Sequence, residues 1–371
     1  MTGLYIHVPF CVSKCPYCDF YSLAAQDDFT MDAYTDELCR RLSLLPASLT
    51  ADTLYFGGGT PSLLGGKRLT RILEAAHRFL TADAEVTLEA NPAETLRDTF
   101  EAFQAAGGNR LSMGMQAATD AGLSALGRRH TPASLRQAVA DAHRAGLHNL
   151  SLDMMLATPH QTEADVDAAV AVCRDSDATH VSAYLLKIEE GTPFYEQRDR
   201  LSLPDEDDTA ARYLYACEAL EQAGYRQYEI SNFAKDGFES RHNLKYWNGE
   251  EYIGLGPAAH SFFGGQRTYF ERSLTRFLQG AEPLPEDPDA TVRDASWEEY
   301  AMLRLRLTDG IDRRLFEARF GFPLPTAVDR AAAQLPPTLV HCDEQRIALT
   351  RDGFLLSNTL IARLLWSDED F

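Results

Sequence analysis

Short apolar runs alternate with amphipathic stretches over the first 230 residues of the chain. Six runs have the length and apolar character of buried strands: 4–8, 53–58, 85–90, 110–115, 150–156 and 180–186. Seven stretches with helical periodicity lie between and after them: 30–45, 67–80, 95–106, 119–126, 133–145, 163–175 and 207–223. Strands that alternate with helices predict a parallel sheet with right-handed crossovers.

Six strand–helix units predict an α/β fold built on a partial (β/α)6 barrel, with a doubly wound open sheet as the alternative. Barrels of this kind place their chemistry at the carboxyl ends of the strands. Unusual residues of this chain cluster at those ends, namely Cys11–Cys18, Gly57–Pro61, Glu89–Pro92, Gly114–Gln116 and Asp153. The sequence therefore predicts one functional face at the barrel mouth.

Three segments are expected along the chain. Residues 1–230 form the barrel core, and 231–292 form a less regular extension that ends in a Pro- and Asp-rich linker. Residues 293–371 are predicted to form a small C-terminal helical, winged-helix-like domain. Within it we expect a hairpin with its turn at 351–353, followed by a final helix.

Composition and charge exclude several classes of protein. The chain has 371 residues, 45% of them hydrophobic, and a formal net charge of −20. This content can form a substantial core, and the acidic balance argues against a nucleic-acid binder or a polybasic membrane anchor. No stretch approaches the roughly 20 apolar residues of a membrane span, and no signal peptide is evident. We expect a cytosolic protein without an integral membrane segment; a peripheral membrane contact stays open.

Cys11, Cys15 and Cys18 follow the first predicted strand with the spacing C-x3-C-x2-C. In the reducing cytosol such a cluster indicates a metal site or catalysis. Thiolates favour iron–sulfur clusters or zinc, and a site that performs chemistry keeps one coordination position open. A [4Fe–4S] cluster with three protein ligands has such an open iron. The alternatives are three unliganded thiols, or zinc with a distant fourth ligand such as His7.

This spacing, with Tyr17 before the third cysteine, resembles the radical S-adenosylmethionine (SAM) superfamily. The stretch "YIHVPFCVSKCPYCDF" is similar to the oxygen-independent coproporphyrinogen III oxidase (HemN) family, and the resemblance extends over nearly the whole chain. It implies that Cys11, Cys15 and Cys18 hold a [4Fe–4S] cluster whose open iron binds SAM. In that superfamily an electron from the cluster splits SAM to a 5′-deoxyadenosyl radical.

The same resemblance implies a set of SAM contacts at successive strand ends. The motif "GGGTP" corresponds to the segment that holds the methionyl group, and four polar residues match further contacts. The implied SAM-binding residues are Tyr5, Tyr17, Gly58, Gly59, Thr60, Glu89, Gln116, Arg128 and Asp153. Carboxylates can accept hydrogen bonds from ammonium or ribose groups, and arginine can pair with a carboxylate.

Two departures point to the heme chaperone (HemW) branch of that family. Phe20 stands where the oxidase-type members carry a further cysteine, and the chain begins directly at its first strand, without their N-terminal extension. The motif "HNLKYW" also resembles that branch. It implies that His242 ligates heme iron and that Tyr246 and Trp247 flank the porphyrin. The alternative is a hydrogen-bonded surface loop with two core aromatics.

The expected function is therefore a heme chaperone that holds a cluster and SAM, binds heme as cargo and transfers it to apo-hemoproteins. His260 is a rival heme ligand, while Cys217 and Cys342 are conceivable ligands that more readily pack in a core. Oxidative decarboxylation of coproporphyrinogen III is the alternative function. Whether the protein is an enzyme stays open at this point, since the expected chaperone role requires no coproporphyrinogen oxidase activity.

Overall fold

A computed structural model describes residues 1–24, 26–93, 95–286 and 295–366. The six predicted strands are all present and lie side by side in chain order, each parallel to the next. Their bounds are β1 (Thr2–Val8), β2 (Ala51–Gly58), β3 (Leu80–Ala90), β4 (Arg110–Gln116), β5 (Asn149–Leu156) and β6 (His180–Leu185). The prediction of a partial α/β barrel is confirmed.

The seven predicted helices are also present. They are Asp28–Leu44, Gly65–Ala76, Arg97–Ala105, Asp120–Ala125, Pro132–Arg144, Glu163–Asp175 and Glu206–Gln222. Side chains at their starts fix several of these bounds: Thr131 and Thr162 each form a capping box. Gly146 and Gly224 follow helix ends with positive φ, the conformation in which glycine commonly ends a helix.

The extension adds a strand that the sequence reading missed. Tyr252–Leu255 pairs in parallel with β1 on the side away from β2, so β1 lies inside the sheet. Antiparallel strands continue both edges: His260–Phe263, Gln266–Tyr269 and Leu284–Pro285 on one side, Asn232–Ala234 and Arg226–Gln227 on the other. Over the described residues these two edges do not pair with each other, so the sheet is open.

The short helix Arg241–Trp247 covers the amino ends of the strands. Its first backbone N–H groups, on Arg241 and His242, donate to the Glu85 carboxylate at 3.2 and 3.0 Å. Glu85 is buried near the middle of β3, so this helix is fixed against the inner face of the sheet. Other short helical segments are Pro61–Leu64, His77–Phe79, Pro193–Glu196, Arg198–Arg200 and Leu274–Leu278.

The C-terminal part contains helices and a three-stranded sheet. The helices are Trp297–Arg304, Arg313–Phe320, Thr326–Ala333, Arg351–Leu355 and Ser357–Leu365, and the strands are Ile311–Asp312, Val340–Cys342 and Arg346–Leu349. The predicted domain boundary between 292 and 293 lies outside the described residues. Nowhere in the described ranges is a helix both long enough and apolar enough to cross a bilayer.

The hairpin turn of this domain is not where the sequence reading placed it. The strands turn at 343–345, where Asp343 Oδ1 accepts hydrogen bonds from the N–H groups of Gln345 and Arg346. The predicted turn at 351–353 is instead the first turn of a helix, because the Thr350 side chain accepts from Gly353 N at 3.0 Å. A capped helix start and a hairpin turn share the same small and polar residues.

Candidate functional site

A cavity of about 510 Å³ opens at the carboxyl ends of the barrel strands. All three residues of the cysteine motif line it, and so do all but one of the predicted SAM-binding residues. The predicted residues found there are Cys11, Cys15, Tyr17, Cys18, Gly58, Gly59, Thr60, Glu89, Gln116, Arg128 and Asp153. Residues from the carboxyl ends of five separate strands therefore meet in one cavity, as expected for a barrel of this kind.

The cysteine loop is held against the barrel by backbone pairing. Phe10–Cys11 pairs with Leu23–Ala24, which closes the loop at its base. The Cys11 thiol lies 3.6 Å from Thr60 Oγ1, and the Cys15 thiol accepts from Arg128 Nη1 at 3.3 Å. All three cysteines are partly exposed, and none is in a disulfide. Three soft donors on one loop at a cavity mouth fit a [4Fe–4S] cluster with one open iron.

Neither the next cysteine along the chain, Cys39, nor the proposed zinc ligand His7 is available to this loop. Cys39 lies on the helix Asp28–Leu44, and its thiol contacts the carbonyl oxygen of Arg71 at 3.8 Å. The His7 ring is 4% exposed: Nε2 donates to the Tyr21 carbonyl at 2.9 Å, and Nδ1 accepts from the Tyr5 hydroxyl at 3.1 Å. The geometry therefore does not support a zinc site completed by His7.

Gly58 and Gly59 are required by close packing within the protein itself. Gly59 N donates to the Val8 carbonyl at 2.8 Å, and a Cβ at Gly59 would lie 2.6 Å from the Phe10 carbonyl oxygen. Only glycine therefore lets the end of β2 pack on the start of the cysteine loop. Gly58 has φ of +112°, and a Cβ there would meet the His7 imidazole.

Two half-buried carboxylates form the floor of the cavity. Glu89 accepts from the Tyr55 hydroxyl at 2.8 Å and from Gly58 N at 3.1 Å, and Asp153 accepts from the Ser112 hydroxyl at 3.2 Å. Burial raises the pKa of Glu89 to about 7 and the pKa of Asp153 to about 6. Charged carboxylates without a cationic partner are costly at such a site, which makes it suited to a positively charged ligand.

Arg128 connects the carboxyl end of β4 with the cysteine loop. Besides its contact with Cys15, its Nη2 donates to the Gly114 carbonyl at 3.1 Å. Gln116, the last residue of β4, has a positive φ of 63°, a conformation that non-glycine residues seldom adopt. Such strain is concentrated at functional sites, where the surrounding structure enforces it.

Tyr5 is the one predicted SAM residue that does not line the cavity. Its ring is packed inside the barrel, stacked on Tyr55 at 6.2 Å and on His242 at 6.2 Å. Burial raises the pKa of its hydroxyl, which donates to His7. Tyr5 therefore lies beneath the residues that line the cavity.

His242 is turned into the barrel and not toward a ligand. It is 1% exposed, with Nδ1 hydrogen-bonded to Thr53 Oγ1 and Nε2 to the Tyr246 hydroxyl, both at 2.8 Å. Burial lowers the pKa of His242 to about 3. Heme ligation by His242 would require at least one of these two hydrogen bonds to break.

The two aromatic residues of "HNLKYW" also pack against neighbouring side chains. Tyr246 packs edge-on against Tyr252 at 4.6 Å, and the half-buried Trp247 ring lies 5.8 Å from the Arg306 guanidinium. The motif therefore forms a short hydrogen-bonded helix at the end of the barrel opposite the cavity. It differs from the surface loop of the alternative prediction because His242 is buried. Cys217 is buried, as expected, whereas Cys342 is exposed on the C-terminal hairpin.

Sequence reasoning missed several residues of the site. Ser112, Tyr184 and Lys187 also line the cavity, and Tyr55 positions Glu89. Ser112 could have been found from the alternation of side chains along a strand. Ser112, Gly114 and Gln116 are spaced two residues apart on β4 and therefore share its inner face. Lys187 follows the end of β6, where the strand-end rule would have found it.

Comparison with known proteins gives concordant relatives. Residues 5–173 match the Radical SAM superfamily, and residues 293–356 match the HemN C-terminal domain. The heme chaperone HemW of Mycobacterium tuberculosis is 36% identical, over 98% of this chain and 94% of that protein. The heme chaperone HemW of Escherichia coli K12 is also 36% identical, over 98% of each chain.

A solved structure shares the fold. The coproporphyrinogen III oxidase HemN from Escherichia coli, a radical SAM enzyme, matches with a TM-score of 0.81 over 98% of this chain and 90% of that one. At 20% sequence identity this likeness concerns the architecture alone.

Proposed function

Since this chain belongs to the radical SAM superfamily and, within its HemN-like family, to the HemW branch, we propose that it is a heme chaperone. It holds a [4Fe–4S] cluster and SAM at the barrel mouth, binds heme and transfers it to apo-hemoproteins in the cytosol. One observation carries the proposal: the three thiols and the half-buried acids meet in one cavity of a chain that is 36% identical, over nearly its whole length, to proteins named heme chaperones.

Each group in the cavity has a distinct task. Cys11, Cys15 and Cys18 hold the cluster, which when bound supplies an electron for SAM cleavage. Glu89 and Asp153 accept hydrogen bonds from the cationic ligand, while Tyr55 and Ser112 keep those carboxylates in place. Arg128 is fixed by Gly114 and keeps its charge beside the Cys15 thiol, where it orients the loop.

SAM affinity is expected to rise with pH between about 5.5 and 8, because the acids must be ionised to attract a sulfonium cation. The pKa values of about 6 for Asp153 and about 7 for Glu89 fix this window. Below it both groups are protonated and neutral, and above it both are charged. The gain is about tenfold, the size of one charge-assisted hydrogen bond. Equilibrium binding of SAM across this pH range measures it.

Glu89→Gln should lower SAM affinity at high pH and flatten the upper part of the profile. The matched control is Glu101→Gln, an exposed acid of the helix Arg97–Ala105, which should keep the profile of the unmodified protein. A pH-independent affinity in the unmodified protein would refute the role given to the two acids.

The proposed function is tested by offering two substrates to the anaerobically reconstituted protein. With SAM and dithionite present, one sample receives heme and then an apo-hemoprotein, and the other receives coproporphyrinogen III. We expect heme binding and transfer, followed by the Soret band, without release of carbon dioxide. Carbon dioxide release in step with SAM cleavage would identify the protein as the oxidase and overturn the chaperone role.

A further inference from the structure

We propose that His260 is the axial ligand of the heme iron and that Glu286 orients its imidazole ring. This inference rests on the proposed function, because it names the site at which the cargo is held. The bond is dative, from the Nε2 lone pair to iron, with no change in oxidation state, and a weakly bound ligand such as water leaves the iron. The proton stays on Nδ1 of His260, which donates it in a hydrogen bond to the Glu286 carboxylate.

The hydrogen bonds of the other histidines reduce the number of candidate heme ligands. The chain has ten, and four of them have both ring nitrogens hydrogen-bonded: His7, His130, His180 and His242. Across the described residues, hydrogen bonding to a carboxylate is found for two, His260 and His341. A carboxylate on one ring nitrogen is the usual support of a histidine that ligates a metal through the other.

His260 and His341 differ in which nitrogen is left open. In His260 the Nδ1 atom is 2.7 Å from Glu286 Oε1, so the tautomer leaves the Nε2 lone pair open. In His341 the Nε2 atom is 2.8 Å from Asp343 Oδ2, which leaves Nδ1, next to its own backbone. A porphyrin plane is too wide to reach Nδ1 without contacting that backbone. Only His260 combines the support with an accessible Nε2.

The side chains around His260 offer an apolar surface that suits the edge of a porphyrin ring. The His260 side chain is 56% exposed and stacks on the Tyr269 ring at 5.7 Å with an interplanar angle of 25°. His260 pairs with Tyr269, and Tyr269 with Leu284, so the three side chains form a row on one face of the sheet. Leu284 is 41% exposed, so it adds apolar surface to this row.

This row is linked to the cysteine loop. Shortly after Tyr269, Arg272 Nη2 donates to the Asp19 carbonyl at 2.6 Å, and Leu274 N donates to the Tyr21 hydroxyl at 2.9 Å. Asp19 itself lines the cavity. Heme on His260 would therefore bind beside the cluster loop and leave the SAM cavity free. A single exposed ligand also suits a protein that must release its cargo to a recipient.

The test is a titration of the full-length protein with ferric heme, followed by Soret absorbance and electron paramagnetic resonance. His260→Ala should weaken heme binding about tenfold or more and remove the histidine-ligated spectrum. Free imidazole should restore that spectrum. His341→Ala, the matched exposed histidine, should leave affinity and spectrum unchanged. Glu286→Gln should keep the ligand but shift the iron–histidine stretching frequency of the ferrous complex.

Two results would overturn the inference, and they are distinguishable. If His260→Ala binds heme with unchanged affinity and an unchanged spectrum, the ligand lies elsewhere and the chaperone role stands. If the unmodified protein binds no heme, the proposed function fails, and the assignment of His260 fails with it.

Discussion

Replacing Cys11, Cys15 or Cys18 by alanine, one at a time, is expected to abolish the iron–sulfur cluster. Each thiol is one of three donors on a single loop, and each donor lost opens a further iron to solvent. We expect iron and sulfide content after anaerobic reconstitution to fall to near zero, with loss of the brown visible absorbance. SAM binding should weaken in parallel.

Cys39→Ala is the control for this series. Its thiol is also partly exposed, but it contacts Arg71 on the neighbouring helix and does not line the cavity, so full iron content is expected. A single-cysteine variant of the loop that keeps full iron and sulfide would show that another residue completes the cluster. Zinc in place of iron in the unmodified protein would refute the cluster itself.

Arg110→Met is expected to destabilise the protein by about 3–5 kcal/mol at neutral pH, the usual cost of leaving buried charge uncompensated. Arg110 is 2% exposed inside the barrel, 4.0 Å from the buried Glu85 carboxylate. Its charge also lowers the pKa values of Glu89 and Asp153 against the dominant, opposite effect of burial. Without it, Glu85, Glu89 and Asp153 lose the counter-charge that they share.

Denaturant unfolding at two pH values measures this effect. The loss should be smaller near pH 5.5 than near pH 8, because Glu89 and Asp153 take up protons as pH falls through their pKa values and no longer need a counter-charge. Arg97→Met is the matched control: that arginine pairs with Glu101 on an exposed helix face, and its loss should cost less than about 1 kcal/mol. An equal loss at both pH values would show that Glu89 and Asp153 do not contribute and that Arg110 acts through Glu85 and packing.

The barrel was predictable because its strands are covered on both faces. Such strands appear as continuous apolar runs, and glycines mark the ends of the helices between them. The cavity was predictable because parallel strands deliver their carboxyl ends to one place. Glu89 and Asp153 are far apart in the chain, yet both follow the same rule.

What could not be predicted depends on partners distant in the sequence. The surroundings of His242 are set by Thr53, 189 positions away, and no local pattern reveals that contact. Tyr5 stands on a strand directly before the cysteine loop, but its side chain points beneath the cavity. The strand Tyr252–Leu255 has only four residues, flanked by polar residues and glycine. It was too short to be recognised from its hydrophobic pattern.

The pairing of β1 with Tyr252–Leu255 also constrains how the chain can be made. Gly3 aligns with Tyr252, so β1 waits for a much later part of the chain before both its edges are covered. Such a non-local contact slows folding. Until it forms, β1 exposes an apolar edge that can pair with another chain. A fragment that ended at residue 230 would keep that edge permanently and should aggregate.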